Sequence, residues 1–265
     1  MDPKERIPAS ALEGVMAAVK SGSLVDAAAV DGLAERFGLD RTAARRAVWL
    51  AGARPEPAAA IILTGGQSER MGTDKAFLVL DGMSAAARLY KKLAPHFDEV
   101  FFAAAASQSS PVAGARCVHD AVAGQGPLAG LAAGLSASPY RVNFVVACDI
   151  PEVDLPLMRR LLACLELDEI AVPEFAPRKV EPLFGAYDRA VGATAQRLLD
   201  AGSLKVLSLF AHHRTRIVAA GDAGWYTNLN TPEDLRRYLT SREKKKTATG
   251  ATARGDSPTG PGLPE

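Results

Sequence analysis

Residues 61–77 read Ile61-Ile62-Leu63-Thr64-Gly65-Gly66-Gln67-Ser68-Glu69-Arg70-Met71-Gly72-Thr73-Asp74-Lys75-Ala76-Phe77, an apolar run that passes directly into a glycine-bearing loop ending in basic residues. The order has a mechanical reason. Gly65 and Gly66 let the backbone come close to an anion and turn its N–H groups toward the anion's oxygens, while Arg70 and Lys75 add positive charge for a polyphosphate. Two familiar phosphate loops fail on spacing. The next glycine after Gly66 is Gly72, and Lys75 is not adjacent to it, so neither the Walker A pattern nor the dinucleotide GxGxxG pattern is present. The loop begins where the apolar run stops, and open α/β sheets bind ligands beyond the carboxyl ends of their strands.

Outward from this stretch, short apolar runs at 58–64, 98–105, 142–148, 169–173, 182–187 and 215–220 alternate with segments of helical period at 84–95, 127–137, 154–166, 188–201 and 231–240. Such alternation predicts an α/β fold, a Rossmann-like mainly parallel sheet covered by helices on both faces. Residues 1–53 read as a small all-helical module broken at Gly38, and Arg54-Pro55-Glu56-Pro57 as a linker, because each proline blocks helix continuation. The α/β domain then occupies 58–240. From 241 to 265 there is almost nothing to bury, and a disordered tail is expected.

The chain has 265 residues, 48% of them hydrophobic and 23% charged, with a formal net charge of +1. That composition suits an ordinary globular protein and offers no global attraction for nucleic acid or an anionic membrane, so any polyanion must meet a local site. The mixed charges of the first ten residues, and the lack of an apolar stretch of about 18 residues, lead to the expectation of a cytoplasmic protein. Cys117, Cys148 and Cys164 have neither paired nor zinc-like spacing and read as buried small residues.

Val145-Val146-Ala147-Cys148-Asp149-Ile150-Pro151 is an apolar strand that ends in a carboxylate and is then stopped by proline. A hard oxygen there, opposite a phosphate loop, suits magnesium, which takes one or two protein carboxylates and completes its shell with phosphate and water. The same aspartate could instead cap the following turn. In Asn228-Leu229-Asn230-Thr231-Pro232-Glu233-Asp234-Leu235, Thr231, Pro232 and Asp234 make a helix-capping arrangement.

The loop at 61–77 resembles the signature of the molybdenum cofactor guanylyltransferases, a branch of the nucleotidyltransferases with a Rossmann-like fold. In that signature Leu-Ala-Gly-Gly leads through Arg-Met-Gly to Asp-Lys. Thr64 stands where alanine is usual. The resemblance runs over 58–240 and returns at Cys117-Val118-His119-Asp120, at Gly124-Gln125-Gly126-Pro127-Leu128-Ala129-Gly130, at the Asp149 strand end and at 228–235. It implies transfer of GMP from GTP to the phosphate of molybdopterin with magnesium as cofactor and pyrophosphate as leaving group.

By the same resemblance Arg70, Lys75 and Asp149 are the catalytic residues and Asp149 the metal ligand. Leu63, Thr64, Gly65, Gly66, Lys75, Asp120 and Asp149 would contact the nucleotide. Arg178 and Lys179 would bind the pterin phosphate, or be plain loop charges; Asn228 and Asn230 would orient metal or phosphate, or simply form turns. The asparagine that the family often places after the second strand is not evident in Phe101-Phe102-Ala103-Ala104-Ala105-Ala106, and Gly82-Met83-Ser84 replaces the usual Gly-Lys-Pro. CMP transfer from CTP to molybdopterin, or nucleotide transfer to another phosphorylated acceptor by an enzyme of the same fold, is the nearest alternative. A nucleotide- or cofactor-sensing regulator is the alternative of another class.

That regulator would use residues 31–48, which read as helix, glycine turn, helix, with Arg41, Arg45 and Arg46 directed outward from the second helix. Residues 1–56 nevertheless carry eight Lys or Arg and eight Asp or Glu. A neutral module lacks a nucleic-acid footprint. A packing or docking module, for a molybdoenzyme or its chaperone, is the preferred reading.

Overall fold

The computed structural model describes residues 7–64, 79–80, 82–106, 108–120 and 126–252, with side chains through 243. Its centre is β1 (Ala58–Leu63), all six residues of which are buried. A strand covered on both faces must be apolar at every position. Ala58, Ala60 and Ile62 enter one core, and Ala59, Ile61 and Leu63 the other. β1 pairs in parallel with β4 (Glu99–Ala104) and β6 (Val142–Ala147), with Ile62 opposite Phe102 and Val146.

The main path of the sheet is β10-β7-β9-β6-β1-β4-β5. It adds β5 (Cys117–His119), β7 (Ile170–Ala176), β9 (Phe184–Asp188) and β10 (Thr215–Ala219), while β8 (Lys179–Val180) pairs with β7 off this path. On one face lie α4 (Ala85–Leu93) and α6 (Leu155–Cys164); on the other lie α5 (Gly126–Ala137) and α7 (Val191–Asp200). A Cβ on Gly134 of α5 would stand 2.8 Å from Ile61 Cγ2, so glycine is what lets this helix press against the central strand.

Each apolar run expected as a strand forms one. The sheet is mainly parallel, but β9 runs antiparallel to both β6 and β7. Only residues 177–183 separate β7 from β9, too few for the crossover that parallel neighbours need. β8 and the ribbon of β2 (Val79–Leu80) with β3 (Met83–Ser84) are two-residue strands, too short to carry a periodic signal. The last helix, α8 (Pro232–Thr252), continues past residue 240, where order was expected to end. Residues 241–246, Ser-Arg-Glu-Lys-Lys-Lys, are mostly good helix formers and can extend a helix whose first turns are anchored by Leu235, Tyr238 and Leu239. Residues 253–265 lie outside the described residues.

The amino-terminal helices α1 (Ala9–Ala18), α2 (Ala27–Phe37) and α3 (Arg41–Leu50) share a core of Val15, Val30, Leu33, Ala44 and Val48. Gly38 closes α2 at φ 61°, and Asp40 caps α3 by accepting from Ala43 N. α3 is turned toward α6. Trp49 is buried in the adjoining sheet core and donates from Nε1 to Glu166 Oε1 at 3.0 Å. Arg45 Nε meets Glu166 Oε2 at 2.6 Å and its guanidinium also pairs with Glu56. Arg54, expected in a linker, bonds Asp98 at 3.0 Å and is buried.

The outward display expected of the second helix is therefore corrected at two residues: Arg45 faces the sheet domain, and Arg46 is turned toward α6 and β10. Arg41 is exposed, as expected, and pairs with Asp31 at 3.2 Å. Replacing Glu166 with alanine strips a part-buried guanidinium and an indole N–H of their shared acceptor. We expect a loss of about 2–4 kcal/mol in urea unfolding. A change below about 1 kcal/mol would mean that α3 is held by apolar packing alone.

Candidate active site

The carboxyl ends of β1 and β6 lie side by side and are joined beyond the last strand residues. Thr64, directly after β1, gives its N–H to Ala103 O at 2.9 Å, and Cys148 N donates to Leu63 O at 2.9 Å. Asp149 follows at once, placed by the strand that Ile150 and Pro151 end. Its backbone carbonyl accepts from Leu229 N at 2.8 Å, which brings the Asn228–Asn230 segment against the Asp149 strand end. The Asp149 Oδ1 and Asn228 Oδ1 atoms are both buried. Asn230 is exposed, and its N–H reaches Asp234 Oδ2 at 3.3 Å.

The segment is locked from below by α8. Thr231 Oγ1 accepts from Asp234 N at 3.1 Å while Asp234 Oδ2 accepts from Thr231 N at 2.9 Å, a reciprocal cap of the kind the sequence indicated. Leu229 and Tyr238 then pack with Leu80 and Ala85 in a separate apolar cluster. Tyr238 donates to Glu152 Oε1 at 2.5 Å, and Glu152 is approached by Arg88, Lys92 and Arg242 at 3.8–3.9 Å. Burial pushes the Tyr238 phenol up to about 12, so it remains a donor.

On the other side Tyr226 stacks on Phe175 with ring centroids 3.9 Å apart and donates to Glu181 Oε2 at 2.7 Å. Burial first, then the hydrogen bond and charge of Glu181, raise the Tyr226 pKa, whereas a bond from Asn228 lowers it; Asp149 raises it electrostatically. Tyr226, Glu181, Asn228 and Asp149 are thus one group. Sequence reasoning gave no role to Tyr226, Glu181, Glu152 or Tyr238, because each pair is made across long sequence separations.

Of the expected site residues, the structure brings together Leu63, Thr64, Asp149, Asn228 and Asn230. Asp120 directly follows β5 on the far side of β4, three strand positions from β6, or roughly 14 Å at about 4.8 Å per strand. Arg178 and Lys179 are exposed at the tip of the β7–β8 hairpin, Arg178 with φ 65° and its N–H on Glu174 Oε1 at 2.7 Å. Phe175, in the same hairpin, links them to the Tyr226 group. Gly65, Gly66, Arg70 and Lys75 lie outside the described residues, as do Gly124 and Gln125. Among the described residues no three His, Cys, Asp or Glu side chains cluster as a metal cage.

Asp120 is buried, which raises its pKa above the ordinary carboxylate value; the Ala106 N–H and His119 oppose this. A carboxyl whose pKa is raised on folding binds protons more readily folded than unfolded, so its ionisation lowers stability as pH rises through that range. Asp120→Asn should therefore melt above the wild type near pH 7, with the difference shrinking below about pH 4. An equal or lower melting point at pH 7 would contradict this environment.

Residues 60–217 match the MobA-like NTP transferase domain. A probable molybdenum cofactor guanylyltransferase of Pelotomaculum thermopropionicum is 30% identical over 198 residues, covering 72% of this chain and 96% of the relative. The fold is similar to molybdopterin-guanine dinucleotide biosynthesis protein A from Archaeoglobus fulgidus, with TM-score 0.60, 22% identity and coverage of 70% and 99%. It is also similar to Rv0371c from Mycobacterium tuberculosis in complex with manganese, with TM-score 0.53, 21% identity and coverage of 70% and 100%. By the extent of the matched segment, the chain belongs to the MobA-like NTP transferase family.

Proposed function

We propose that this chain transfers GMP from GTP to the phosphate of molybdopterin and releases pyrophosphate. The observation that carries the reading is the convergence of Asp149 and Asn228 beside the end of β1, where the glycine loop begins. The relatives named as molybdenum cofactor guanylyltransferases support it. A terminal phosphate oxygen of the acceptor attacks the α-phosphorus, a P–O bond forms there, and the bond to the β-phosphate oxygen breaks. The acceptor is already ionised near neutral pH, so no side chain need take its proton. The protein's contribution is alignment and charge.

The residues present fit a divalent cation. Asp149 offers a hard carboxylate, and Asn228 Oδ1 is buried with no hydrogen bond from the described residues. Magnesium in that position would supply positive charge to the phosphate oxygens. Lys75 and Arg70 would neutralise the leaving pyrophosphate. Leu63, Thr64, Gly65, Gly66 and Asp120 would hold the nucleotide along the strand ends, with Arg178, Lys179 and Asn230 on the acceptor side.

Three free cysteines and a GTP substrate suit a reducing cytoplasm. Among the described residues no helix is long and apolar enough to cross a membrane. We take 58–240 as the transferase domain and 1–53 as the module that packs on it, with docking to recipient molybdoenzymes as its further role.

Pyrophosphate release with GTP, magnesium and molybdopterin tests the reading. Asp149→Ala and Lys75→Ala should each lower turnover by at least about 100-fold, with melting points close to the wild type. Faster turnover with CTP would replace guanylyl by cytidylyl transfer. Full activity of a folded Asp149→Ala protein would remove the metal assignment.

A further inference from the structure

Away from the strand ends that carry the candidate active site, the junction of the helical module with the sheet encloses a cavity of about 500 Å³. Its walls come from α3 with Arg46 and Leu50, from α6 with Arg160 and Cys164, and from the edge strand β10 with Arg216. The family match begins at residue 60, so the α3 wall is supplied from outside the transferase match. The Glu166 contacts of Arg45 and Trp49 hold that wall in place.

Three guanidiniums line the cavity against one carboxylate, Asp168, which Arg216 Nε approaches at 2.9 Å. In a chain of net charge +1 this is a local concentration of positive charge. All four groups act electrostatically on the Cys164 thiol, which places them around one point. Burial, the largest influence, pushes that thiol up to about 11, as a poorly hydrated apolar floor should.

The occupant's size also follows. Ala220 N bonds to Glu174 O of β7, so the carbonyl of Ala219 points away from the sheet. Arg160 donates to that carbonyl at 2.7 Å. The outer edge of β10 is thereby covered at this position, which disfavours an added strand from another protein. A volume of about 500 Å³ falls within the range of roughly 300–1,000 Å³ typical of small-molecule pockets.

We propose that this cavity is a second, non-catalytic binding site for a small organic anion, one that joins a phosphate, carboxylate or sulfonate to an apolar body. Guanidiniums match such oxyanions with paired N–H donors, and Leu50, Leu167 and Val218 receive the apolar part.

The probe is 8-anilinonaphthalene-1-sulfonate, titrated into the full-length protein and followed by its fluorescence and by backbone amide chemical shifts. We expect saturable one-site binding, with shifts concentrated at residues 46–50, 160–168 and 216–219. Affinity should fall at least about 10-fold in Arg46→Gln and in Arg160→Gln, while turnover is unchanged; Asp149→Ala should bind the probe as the wild type does. Shifts centred elsewhere, no saturation, or undiminished affinity in both arginine variants would overturn the proposal. The wild-type shift map decides the matter alone if a variant fails to fold.

Discussion

Two backbone hydrogen bonds at the end of the central sheet set the geometry on which the rest of the site depends. Cys148 N to Leu63 O extends the β1–β6 pairing one step past the strands, and Leu229 N to Asp149 O ties a distant loop to the same point. Because both donors and acceptors belong to the main chain, the position of the Asp149 backbone is fixed by sheet register rather than by side-chain choice. A carboxylate mounted this way needs no second acidic residue to hold it. The demand falls instead on the register, and hence on a β1 that is apolar at every position and on the glycine at 134 that lets α5 close over it.

Much of this was legible in the sequence because the relevant signals are local. The β1 run is continuous, the Asp149 strand is stopped by Pro151 only two residues later, and the Thr231 cap lies within four residues of its partner. The direction of β9 was not legible as a pattern, although the short link to β7 would have yielded it by the crossover rule. Tyr226 with Glu181, Tyr238 with Glu152, and Arg45 with Glu166 leave no local trace, since their partners are 45, 86 and 121 residues away. Such pairs are specified by the fold once formed, and no periodicity announces them.

The amino-terminal module illustrates the same limit. A glycine turn between two capped helices is common to DNA readers and to ordinary packing modules, and the sequence supplies both readings. What separates them is where the second helix spends its open face. Trp49 and Arg45 lie on the side that meets α6 and Glu166, so the surface a reading helix would present is consumed in attaching the module.

The departures from the family pattern are absorbed locally, which explains why they leave the fold unchanged. Thr64 adds a hydroxyl to a buried position, and its Oγ1 lies 3.4 Å from Ala103 O, the carbonyl its own N–H already uses. Ser84, standing where the family places proline, accepts from Ala87 N at 3.2 Å and so caps α4. Gly82, the residue of this triplet that the family pattern shares, adopts φ 80°, a left-handed conformation suited to glycine. After β4, Gln108 Oε1 accepts from Ala105 N at 3.2 Å in the stretch that lacks the usual asparagine. Ser84 and Gln108 thus satisfy backbone donors through their side chains, and Thr64 keeps the main-chain bond of its N–H, so the strand ends hold their geometry despite the changes.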